Sequence, residues 1–340
     1  MTRRILFISR TLSTGYGGMQ TQASSLIEAL RRNPDVSLRV VGYGGRRIGL
    51  FLFFPYALLA ALFTRAHTVH IGDALLSLFF PVLAVFRPRL KRTVTVHGLD
   101  IVWNRLWYLI LIRRSLRFAH RVVAVSRATA GACMDLGIGS ERIVVIPCGI
   151  VMPEISARKK PQDPVLLSLG RLVPRKGVSW FLENVFPLLL ARHPTMRFVI
   201  AGDGPEIASL RSIVAAQNWQ YAVEIVGAVP ERAKESLFQN ASLLIMPNIP
   251  VFGDMEGFGI AALEAASRGI PVVAADLEGL KDSVIEGVTG LRFLPLDLQS
   301  AAVAVESALM QEWNRDSMKK AVQEKFNIDS IASRYMHDVF

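Results

Sequence analysis

The sequence lacks the short motifs of several common enzyme classes. It contains no Gly-x-Ser-x-Gly of serine hydrolases, no His-Glu-x-x-His of zinc proteases, and no Asp-x-Asp that could bridge a metal ion to a diphosphate. Its only cysteines, Cys133 and Cys148, have no neighbouring Cys or His and cannot form a zinc site by themselves. We therefore expect no metal and no cofactor, and we interpret both thiols as small, buried apolar residues.

The chain also lacks an apolar run long enough to cross a bilayer, for which a helix needs about 20 residues. Its longest apolar stretches, residues 48–63 and 74–86, contain 16 and 13 residues, and Pro55 or Pro81 interrupts each. Two interpretations stay open: helices buried in a core, or helices lying on an anionic bilayer surface with cations beside them. Those cations are Arg46, Arg47, Arg65, Arg87, Arg89, Lys91 and Arg92.

The first residues show no apolar stretch of the kind that a signal peptide has. Met-Thr-Arg-Arg runs directly into the strand-like residues 5–8. Together with the scarcity of cysteine, this predicts a reducing, cytoplasmic location. On the bilayer interpretation, the protein would lie peripherally on the inner face of the plasma membrane.

Acidic residues are scarce in the first half of the chain. Residues 1–150 contain 20 Lys and Arg against 6 Asp and Glu, a net charge of +14, whereas residues 151–340 contain 19 against 22, a net charge of −3. The overall charge of +11 suggests nucleic-acid binding as an alternative, but half the chain is acidic and no basic motif with interleaved aromatics appears. The pattern favours a local anionic partner such as a membrane surface.

Short apolar segments rich in β-branched residues alternate with helical patterns, which is typical of parallel sheets with crossover helices. A chain of 340 residues fits two domains of about 150 residues each. We therefore expect an α/β fold with two Rossmann-like domains whose parallel sheets face a central cleft. The predicted strands are 5–8, 38–43, 68–71, 93–96, 121–124 and 143–146, then 165–169, 198–201, 223–226, 243–246, 272–274 and 290–293; a helix is predicted over 19–32.

The domain ranges follow from a proline-rich segment in the middle of the chain. We predict an N-terminal domain over residues 1–152, a linker over 153–164 and a C-terminal domain over 165–325. For the last stretch, 326–340, one interpretation is a helix that packs back onto the first domain. Ligands bind outside the carboxyl ends of the strands in such sheets, so the segments just after the strands should contain the site.

The most informative of these segments is residues 256–264, Glu-Gly-Phe-Gly-Ile-Ala-Ala-Leu-Glu. The glycines allow close approach of a ligand to the backbone, and the start of the Ala-rich helix, predicted to end at Gly269, favours phosphate. Eight helical residues would rise about 12 Å, so one of Glu256 and Glu264 could meet a sugar while the other binds ribose hydroxyls. The alternative is that both are ordinary surface glutamates.

Three further segments follow predicted strands. Residues 170–177, Gly-Arg-Leu-Val-Pro-Arg-Lys-Gly, offer cations for a diphosphate where no metal supplies charge, unless this is a solvated basic loop. Residues 15–18, Gly-Tyr-Gly-Gly, could press amides on a phosphate or be a turn that needs positive φ. His97, in His-Gly-Leu-Asp, should lie at the cleft edge, whereas the five other histidines are interpreted as structural.

Taken together, these positions resemble the retaining GT-B glycosyltransferases of family four, the group 1 glycosyltransferases, over nearly the whole chain. Residues 201–205, Ala-Gly-Asp-Gly-Pro, and 269–273, Gly-Ile-Pro-Val-Val, also match in place and order. Two positions depart from the pattern: Cys148 stands where Asn is common, and Gln20 where an acidic residue is frequent. These departures concern acceptor recognition and the hinge.

The resemblance implies a role for each matching residue. Arg171 and Lys176 would be the diphosphate cations, and Glu264 would bind ribose. Glu256 would hold hydroxyls of the donor sugar, with His97 near the reacting carbon. The amides of Phe258, Gly259 and the Gly17-Gly18 loop would assist at the diphosphate. Segment 227–230, which contains Val229, would lie along the base, and Gly202 would also contact the base.

The resemblance also implies a function and a mechanism. We expect transfer of a hexose or N-acetylhexosamine from a UDP- or GDP-sugar to a glycan or lipid-linked acceptor, with the acceptor on the basic first domain. No residue is identified as a nucleophile, so we favour front-face attack in which the leaving diphosphate accepts the acceptor's proton. The alternatives are a nucleotide-sugar epimerase, a phosphorylase or an inactive relative; consumption of the donor without an acceptor would indicate an epimerase or phosphorylase.

Overall fold

The structure is a computed structural model that describes residues 2–10, 12, 18–43, 49–154 and 161–340, with the backbone alone at Met19, Leu50 and Arg232. The chain divides into two compact units. The first unit comprises Met1–Val151, Phe252–Phe258 and Phe326–Phe340. The second comprises Met152–Val251 and Gly259–Lys325. Residues 252–258, which contain Glu256, therefore group with the first sheet rather than with the segments on either side of them.

The first unit contains a parallel sheet of six strands in the order β2-β1-β3-β4-β5-β6. Every segment predicted as a strand in this half forms one, because β-branched runs flanked by glycine and polar residues suit a strand buried on both faces. The strands are β1 Arg3–Ser9, β2 Val36–Gly42, β3 Thr68–Ile71, β4 Lys91–Val96, β5 Arg121–Ala124 and β6 Ile143–Val145.

Helices cover both faces of this sheet. One face buries Leu6 and Val94 beneath helices α2, α3, α5 and α6, and the other buries Phe7 and Val123 beneath α1 and α15. Successive strand residues thus point to opposite cores, as the pleat requires. The helices are α1 Gly18–Arg32, α2 Leu50–Leu62, α3 Phe80–Phe86, α4 Leu99–Val102, α5 Leu106–Leu116, α6 Arg127–Asp135 and, near the end of the chain, α15 Ile328–Arg334.

The last residues of the chain complete the second of these cores. Ile331 and Tyr335 are buried beside Phe7 and Leu30, and the Tyr335 hydroxyl lies 2.8 Å from Thr95 Oγ1. The backbone of residues 326–328 pairs with Ile150 through hydrogen bonds of 2.8 and 3.0 Å. The segment 326–340 is therefore an integral part of the first unit.

The second unit contains another parallel six-stranded sheet, ordered β9-β8-β7-β10-β11-β12. Counted within the unit this is 3-2-1-4-5-6, the order of dinucleotide-binding sheets, and it confirms the predicted α/β class. The strands are β7 Val165–Leu169, β8 Arg197–Ala201, β9 Val223–Gly227, β10 Leu243–Met246, β11 Val272–Ala275 and β12 Gly290–Phe293. The helices are α7 Val178–Asn184, α8 Phe186–Arg192, α9 Ile207–Ala216, α10 Glu231–Asn240, α11 Ile260–Ala266, α12 Leu280–Ser283, α13 Leu298–Met310 and α14 Arg315–Phe326.

The two apolar stretches become helices that cover the first sheet. Residues 50–62 form α2, and residues 74–86 form a 3₁₀ turn, Ala74–Phe79, followed by α3. Within the described ranges, no helix has both the length and the apolar character that crossing a bilayer demands. Both cysteines are buried and unpaired, as expected.

His70 is a fully buried histidine in β3. Its Nδ1 lies 2.9 Å from Thr93 Oγ1 and its Nε2 lies 3.1 Å from Thr95 Oγ1, so both ring nitrogens have partners. Burial, with a smaller effect of the charge on His97, lowers the pKa of His70 from 6.5 to about 3. The imidazole is therefore neutral in the folded protein at neutral pH.

We predict that His70 makes the folded protein less stable in mild acid. The unfolded chain binds a proton at His70 below pH 6.5 and the folded chain does so near pH 3. Stability should therefore fall by up to about 1.4 kcal/mol per pH unit between these values. Urea unfolding at several pH values should show a shallower dependence for His70→Gln than for the wild type. His337→Gln, at an exposed position, is the control, and equal slopes for wild type and His70→Gln would contradict the prediction.

Candidate functional site

The predicted diphosphate cations lie at the point where the strand order of the second sheet reverses. Strands β7 and β10 are neighbours, and the segments that follow them run to different sides of the sheet. Arg171 and Lys176 follow β7, while Gly259 and helix α11 come after β10. In doubly wound sheets the crevice at this reversal is where nucleotides and other ligands bind.

Backbone contacts fix the segments at this edge to one another. Gly170 N donates to Ala201 O at 3.0 Å, and Gly202 N donates to Gly227 O at 2.7 Å. A Cβ on Gly202, where φ is +149°, would lie 1.8 Å from Gly170 O. Gly202 therefore has a structural reason to be glycine, and its predicted contact with the base stays a prediction. Val229, also predicted at the base, is buried in the apolar core.

The segment with the two cations is held in a defined shape. Arg171 is exposed and Lys176 is partly buried, with Lys176 Nζ close to Gly170. At Gly177, φ is +62° and a Cβ would lie 1.9 Å from Pro247 O. Ile249 N also donates to the carbonyl of Arg175 at 2.9 Å. The cation segment is thus fixed against the residues that follow β10.

Helix α11 contains only one of the two glutamates. It starts at Ile260 and ends at Ala266, so Glu256 lies outside it and the expected 12 Å helical rise between the two glutamates is wrong. The start is set by Gly259, whose φ of +87° is a left-handed conformation; a Cβ there would lie 2.5 Å from Leu280 Cδ2. The end differs too, since residues 267–269 are turns.

Glu264 projects from α11 beside a lysine that the sequence did not single out. Lys234 Nζ lies 3.5 Å from a Glu264 carboxylate oxygen and 2.7 Å from Glu231. Burial raises the pKa of Glu264, and the positive charge of Lys234 partly opposes this. The glutamate predicted to bind ribose is thus already held by a cation. No periodic pattern links α10 to α11, so only the fold could identify Lys234.

His97 is held by an aspartate in the first unit. The backbone N–H of His97 donates to Asp100 Oδ1 at 2.8 Å, and that of Ala74 donates to Asp100 Oδ2 at 3.0 Å. His97 Nε2 lies 3.0 Å from the carbonyl of Gly72, which can only accept, so a neutral imidazole has its proton on Nε2. Its Nδ1 then has a free electron pair. Asp100 lies three residues after His97, and its contact with Ala74 depends on the fold rather than on a sequence motif.

Residues 256–258 lie against the His97 loop. A Cβ on Gly257 would be 2.0 Å from the carbonyl oxygen of His97. Glu256 is buried and close enough to Cys148 that, after burial itself, its charge helps to raise the pKa of the thiol. Phe258 packs edge-on against Phe326, with ring centroids 5.7 Å apart. The structure therefore brings the two predicted catalytic residues, His97 and Glu256, into one region.

An ion pair lies at the strand-order reversal of the first sheet. Arg10, just after β1, donates from Nε to Asp73 Oδ1 at 2.9 Å, and Asp73 follows β3. Burial by itself would lower the pKa of Arg10, but the charge and hydrogen bond of Asp73, together with the charge of Asp100, raise it. Gly18 begins helix α1 after the same strand, whereas Gly17 lies outside the described residues. The sequence reasoning missed this pair, although both residues directly follow predicted strands.

The side chains at these edges can bind anions and hydroxyl groups. The second unit offers Arg171 and Lys176 for negative charge and Glu264 for hydroxyls, and the first offers His97 and Glu256 as acceptors. Among the residues that the structure describes, no group of three or more His, Cys, Asp or Glu side chains could hold a metal ion.

The chain belongs to the group 1 glycosyl transferases. The family model described as "Glycosyl transferases group 1" matches residues 154–325, and the one described as "Glycosyltransferase Family 4" matches residues 16–152. The protein is therefore a glycosyltransferase. This confirms the family and the enzyme class that the motifs around Glu256, Glu264, Arg171 and Lys176 indicated.

Individual relatives show the same kind of protein. The putative colanic acid biosynthesis glycosyltransferase WcaL of Salmonella typhimurium is 25% identical over 280 residues, which cover 78% of this chain and 68% of that protein. A GDP-mannose-dependent alpha-(1-6)-phosphatidylinositol monomannoside mannosyltransferase of Mycolicibacterium smegmatis is 28% identical over 247 residues, which cover 67% of this chain and 64% of that protein. The crystal structure of Anabaena HepE in complex with UDP-glucose superimposes with a TM-score of 0.78 at 17% identity, covering 98% of each chain. This likeness supports the GT-B fold.

We predict that Gly257→Ala lowers kcat/KM by about 100-fold with little loss of global stability, because a new Cβ 2.0 Å from the His97 carbonyl must displace that loop by close to 1 Å. Initial rates and urea unfolding would measure the two effects. The matched control is Gly131→Ala in helix α6, where a Cβ meets nothing within 4 Å. Normal turnover of Gly257→Ala would show that this contact does not position the reacting groups.

Proposed function

We propose that the protein transfers a hexose or N-acetylhexosamine from a nucleotide-diphosphate sugar to a glycan or lipid-linked acceptor. Cell-surface polysaccharide or glycolipid biosynthesis is the process in which we place this reaction. The name of WcaL refers to colanic acid biosynthesis, and that of the mycobacterial relative to a phosphatidylinositol monomannoside, which supports both kinds of acceptor.

One observation carries the donor part of the proposal: two cations follow β7 where the strand order of the second sheet reverses. Arg171 and Lys176 bind the diphosphate through charge-assisted hydrogen bonds. The amides of Phe258 and Gly259, at the start of α11, and of Gly18, at the start of α1, add uncharged donors, and we assign the same role to the amide of Gly17. Backbone contacts that fix Gly170, Gly177 and Gly202 support a preorganised site.

We assign the remaining contacts with the nucleotide sugar to side chains that accept hydrogen bonds. Glu264 accepts hydrogen bonds from the ribose hydroxyls, with Lys234 keeping the carboxylate in place. Glu256 accepts from hydroxyls of the transferred sugar, and His97 lies near its reacting carbon. The edge at Gly202 and Val229 borders the base. The complexes of HepE with UDP and UDP-glucose support a nucleotide-sugar donor, while the mycobacterial relative is named for GDP-mannose.

We place the protein in the cytoplasm, with the first unit in contact with the inner face of an anionic membrane. The net charge of +14 on residues 1–150 supports this, because an anionic bilayer attracts basic segments. A lipid-linked acceptor would be reached at that surface.

The proposed chemistry retains the configuration of the anomeric carbon and uses no metal ion. The bond from this carbon to the diphosphate breaks as the acceptor hydroxyl attacks from the same face, and a leaving diphosphate oxygen takes the hydroxyl's proton. Arg171 and Lys176 stabilise the negative charge that develops on the diphosphate. The absence of Asp-x-Asp from the sequence supports a site in which cationic side chains neutralise the diphosphate.

We predict that a UDP- or GDP-sugar raises the melting temperature of the wild-type protein, with a stabilisation of about 2.7 kcal/mol at 100 times its Kd. Arg171→Gln and Lys176→Gln should each weaken binding about 10-fold or more, because each removes one charge-assisted contact. A thermal-shift titration of UDP-, GDP- and ADP-sugars measures both effects. Arg211→Gln, at an exposed position in α9, should bind like the wild type; unaltered affinity in both site variants would refute the assigned roles.

We further predict that turnover persists in excess EDTA and that the product keeps the anomeric configuration of the donor, because cations replace a metal and attack is from the front face. NMR of the product, taken early enough to precede mutarotation of any free sugar, gives the configuration. An inverted product, or activity that EDTA abolishes and Mg²⁺ restores, would exclude this mechanism while leaving donor binding intact.

A further inference from the structure

Helix α2 leaves a row of large apolar side chains in solvent. Leu52 is 78% exposed and Phe63 is 80% exposed, and Tyr56 and Leu59 lie between them on the same helical face at the spacing i, i+4, i+7, i+11. The opposite face of α2 is buried in the core. Scattered exposed apolar residues are common on proteins, but a continuous row of four has no role in folding.

Helix α5 presents a second face of this kind, which the sequence reasoning did not identify. Leu106 is 75% exposed and Trp107 is 60% exposed, with Ile110 and Leu111 also in solvent one turn later. The same face continues, toward the end of the helix, into a cluster of cations, Arg113, Arg114 and Arg117. Aromatic and aliphatic side chains beside arginines are the composition of helices that lie in a bilayer interface.

Helix α3 lies between helices α2 and α5. It packs against both α2 and α5, and its last residues, Val85 and Phe86, are themselves 73% and 69% exposed. We call the exposed residues of the three helices the apolar face. It consists of Leu52, Tyr56, Leu59, Phe63, Val85, Phe86, Leu106, Trp107, Ile110 and Leu111.

The segment that contains the three helices has no exposed acid between residues 36 and 134, and the exposed acids Asp35 and Asp135 flank it. From residue 36 to residue 134 the sequence has two acidic residues, Asp73 and Asp100, and both are buried. Exposed cations lie close to the three helices in sequence, among them Arg65, Arg89 and Arg105. A surface that is apolar in the middle and cationic around it is complementary to an anionic bilayer, with acyl chains inside and negative headgroups outside.

This charge pattern decides between the occupants of the face. A second copy docked through the same face would bring two sets of arginines together, and this repulsion costs energy. A nucleic acid would meet the arginines but would leave Leu52, Leu59 and Leu106 against phosphate and sugar. An anionic lipid surface satisfies both parts of the face.

A chain of contacts through Tyr108 and Asp100 connects the start of α5 with the His97 loop. The rings of Trp103 and Trp107 pack edge-on against Tyr108, at centroid distances of 5.1 and 6.0 Å. The Tyr108 hydroxyl donates to the carbonyl of Asp100 at 2.7 Å, and the Asp100 carboxylate accepts from His97 N. Contact of the start of α5 with a bilayer would therefore also restrain Asp100 and the loop that contains His97.

We infer that the apolar face of α2, α3 and α5 is the surface by which the protein inserts into an anionic bilayer, with the arginines at the end of α5 on lipid headgroups. This inference rests on the membrane contact of the proposed function and deepens it by naming the residues that enter the lipid. The start of α5, at Leu106 and Trp107, enters the acyl region. An acceptor carried by a lipid is then presented beside the His97 loop.

The test is co-sedimentation of the full chain with vesicles of phosphatidylcholine, with and without phosphatidylglycerol. The wild type should bind the anionic vesicles, and high salt should weaken this binding. The double variant Leu106→Ser/Trp107→Ser keeps the charge and should bind about 10-fold or more weakly. The double variant Arg114→Gln/Arg117→Gln should bind the anionic vesicles about fivefold more weakly for each arginine removed. The matched controls, Val303→Ser/Met310→Ser on α13 and Arg211→Gln on α9, should bind like the wild type.

Quenching by bromine-labelled lipid separates insertion from attachment by charge alone. Tryptophan fluorescence of the wild type should be quenched in anionic vesicles, and Trp107→Phe should lose much of that quenching. Vesicle binding that Leu106→Ser/Trp107→Ser leaves unchanged would overturn the inference and leave the membrane contact standing. Absence of vesicle binding would overturn both the insertion and the membrane contact. A dimer in sedimentation equilibrium that Leu106→Ser/Trp107→Ser dissociates would also overturn both. The donor thermal shift, which these variants should not alter, tests the transferase proposal separately.

Discussion

Parallel strands end at a common edge, and the chain must turn back from that edge after every strand. The segments after β7, β8 and β10 meet so closely that a side chain on Gly177 would clash with Pro247 O, and one on Gly202 would clash with Gly170 O. Because these turns are fixed against one another, the polar groups on them keep a defined position. The ends of the strands therefore set the positions of the cations after β7 and of the glycine before α11.

The strands were predictable because their signal is local. All predicted segments form strands within one or two residues, since β-branched runs bounded by glycine and polar residues have few other stable conformations. The cations on the segment after β7 could be identified for the same reason: they are neighbours in sequence. The non-helical conformation of residues 256–259 was not predictable, because it depends on the left-handed conformation of Gly259 and on the position of that residue against Leu280.

The residues that the sequence did not reveal act across elements that are distant along the chain. Asp100 connects the end of β4 with Ala74 after β3, and Lys234 reaches Glu264 from another helix. Helix α5 illustrates a second limit. Its two exposed turns are apolar, so its sequence resembles that of a buried helix. Only the packing of the helix in the folded protein distinguishes its exposed side from its core side.

The return of residues 326–340 to the first sheet affects how the protein can be made. Tyr335 and Val339 fill the core beside Phe7 and Leu30, yet a ribosome produces them after the whole of the second unit. Until then α1 alone covers this side of the first sheet on the nascent chain. The second unit, whose strands and helices are contiguous apart from residues 252–258, can close first. Completion of the first unit is thus delayed until residues 326–340 have been made, and its incompletely covered apolar side is a natural client for chaperones.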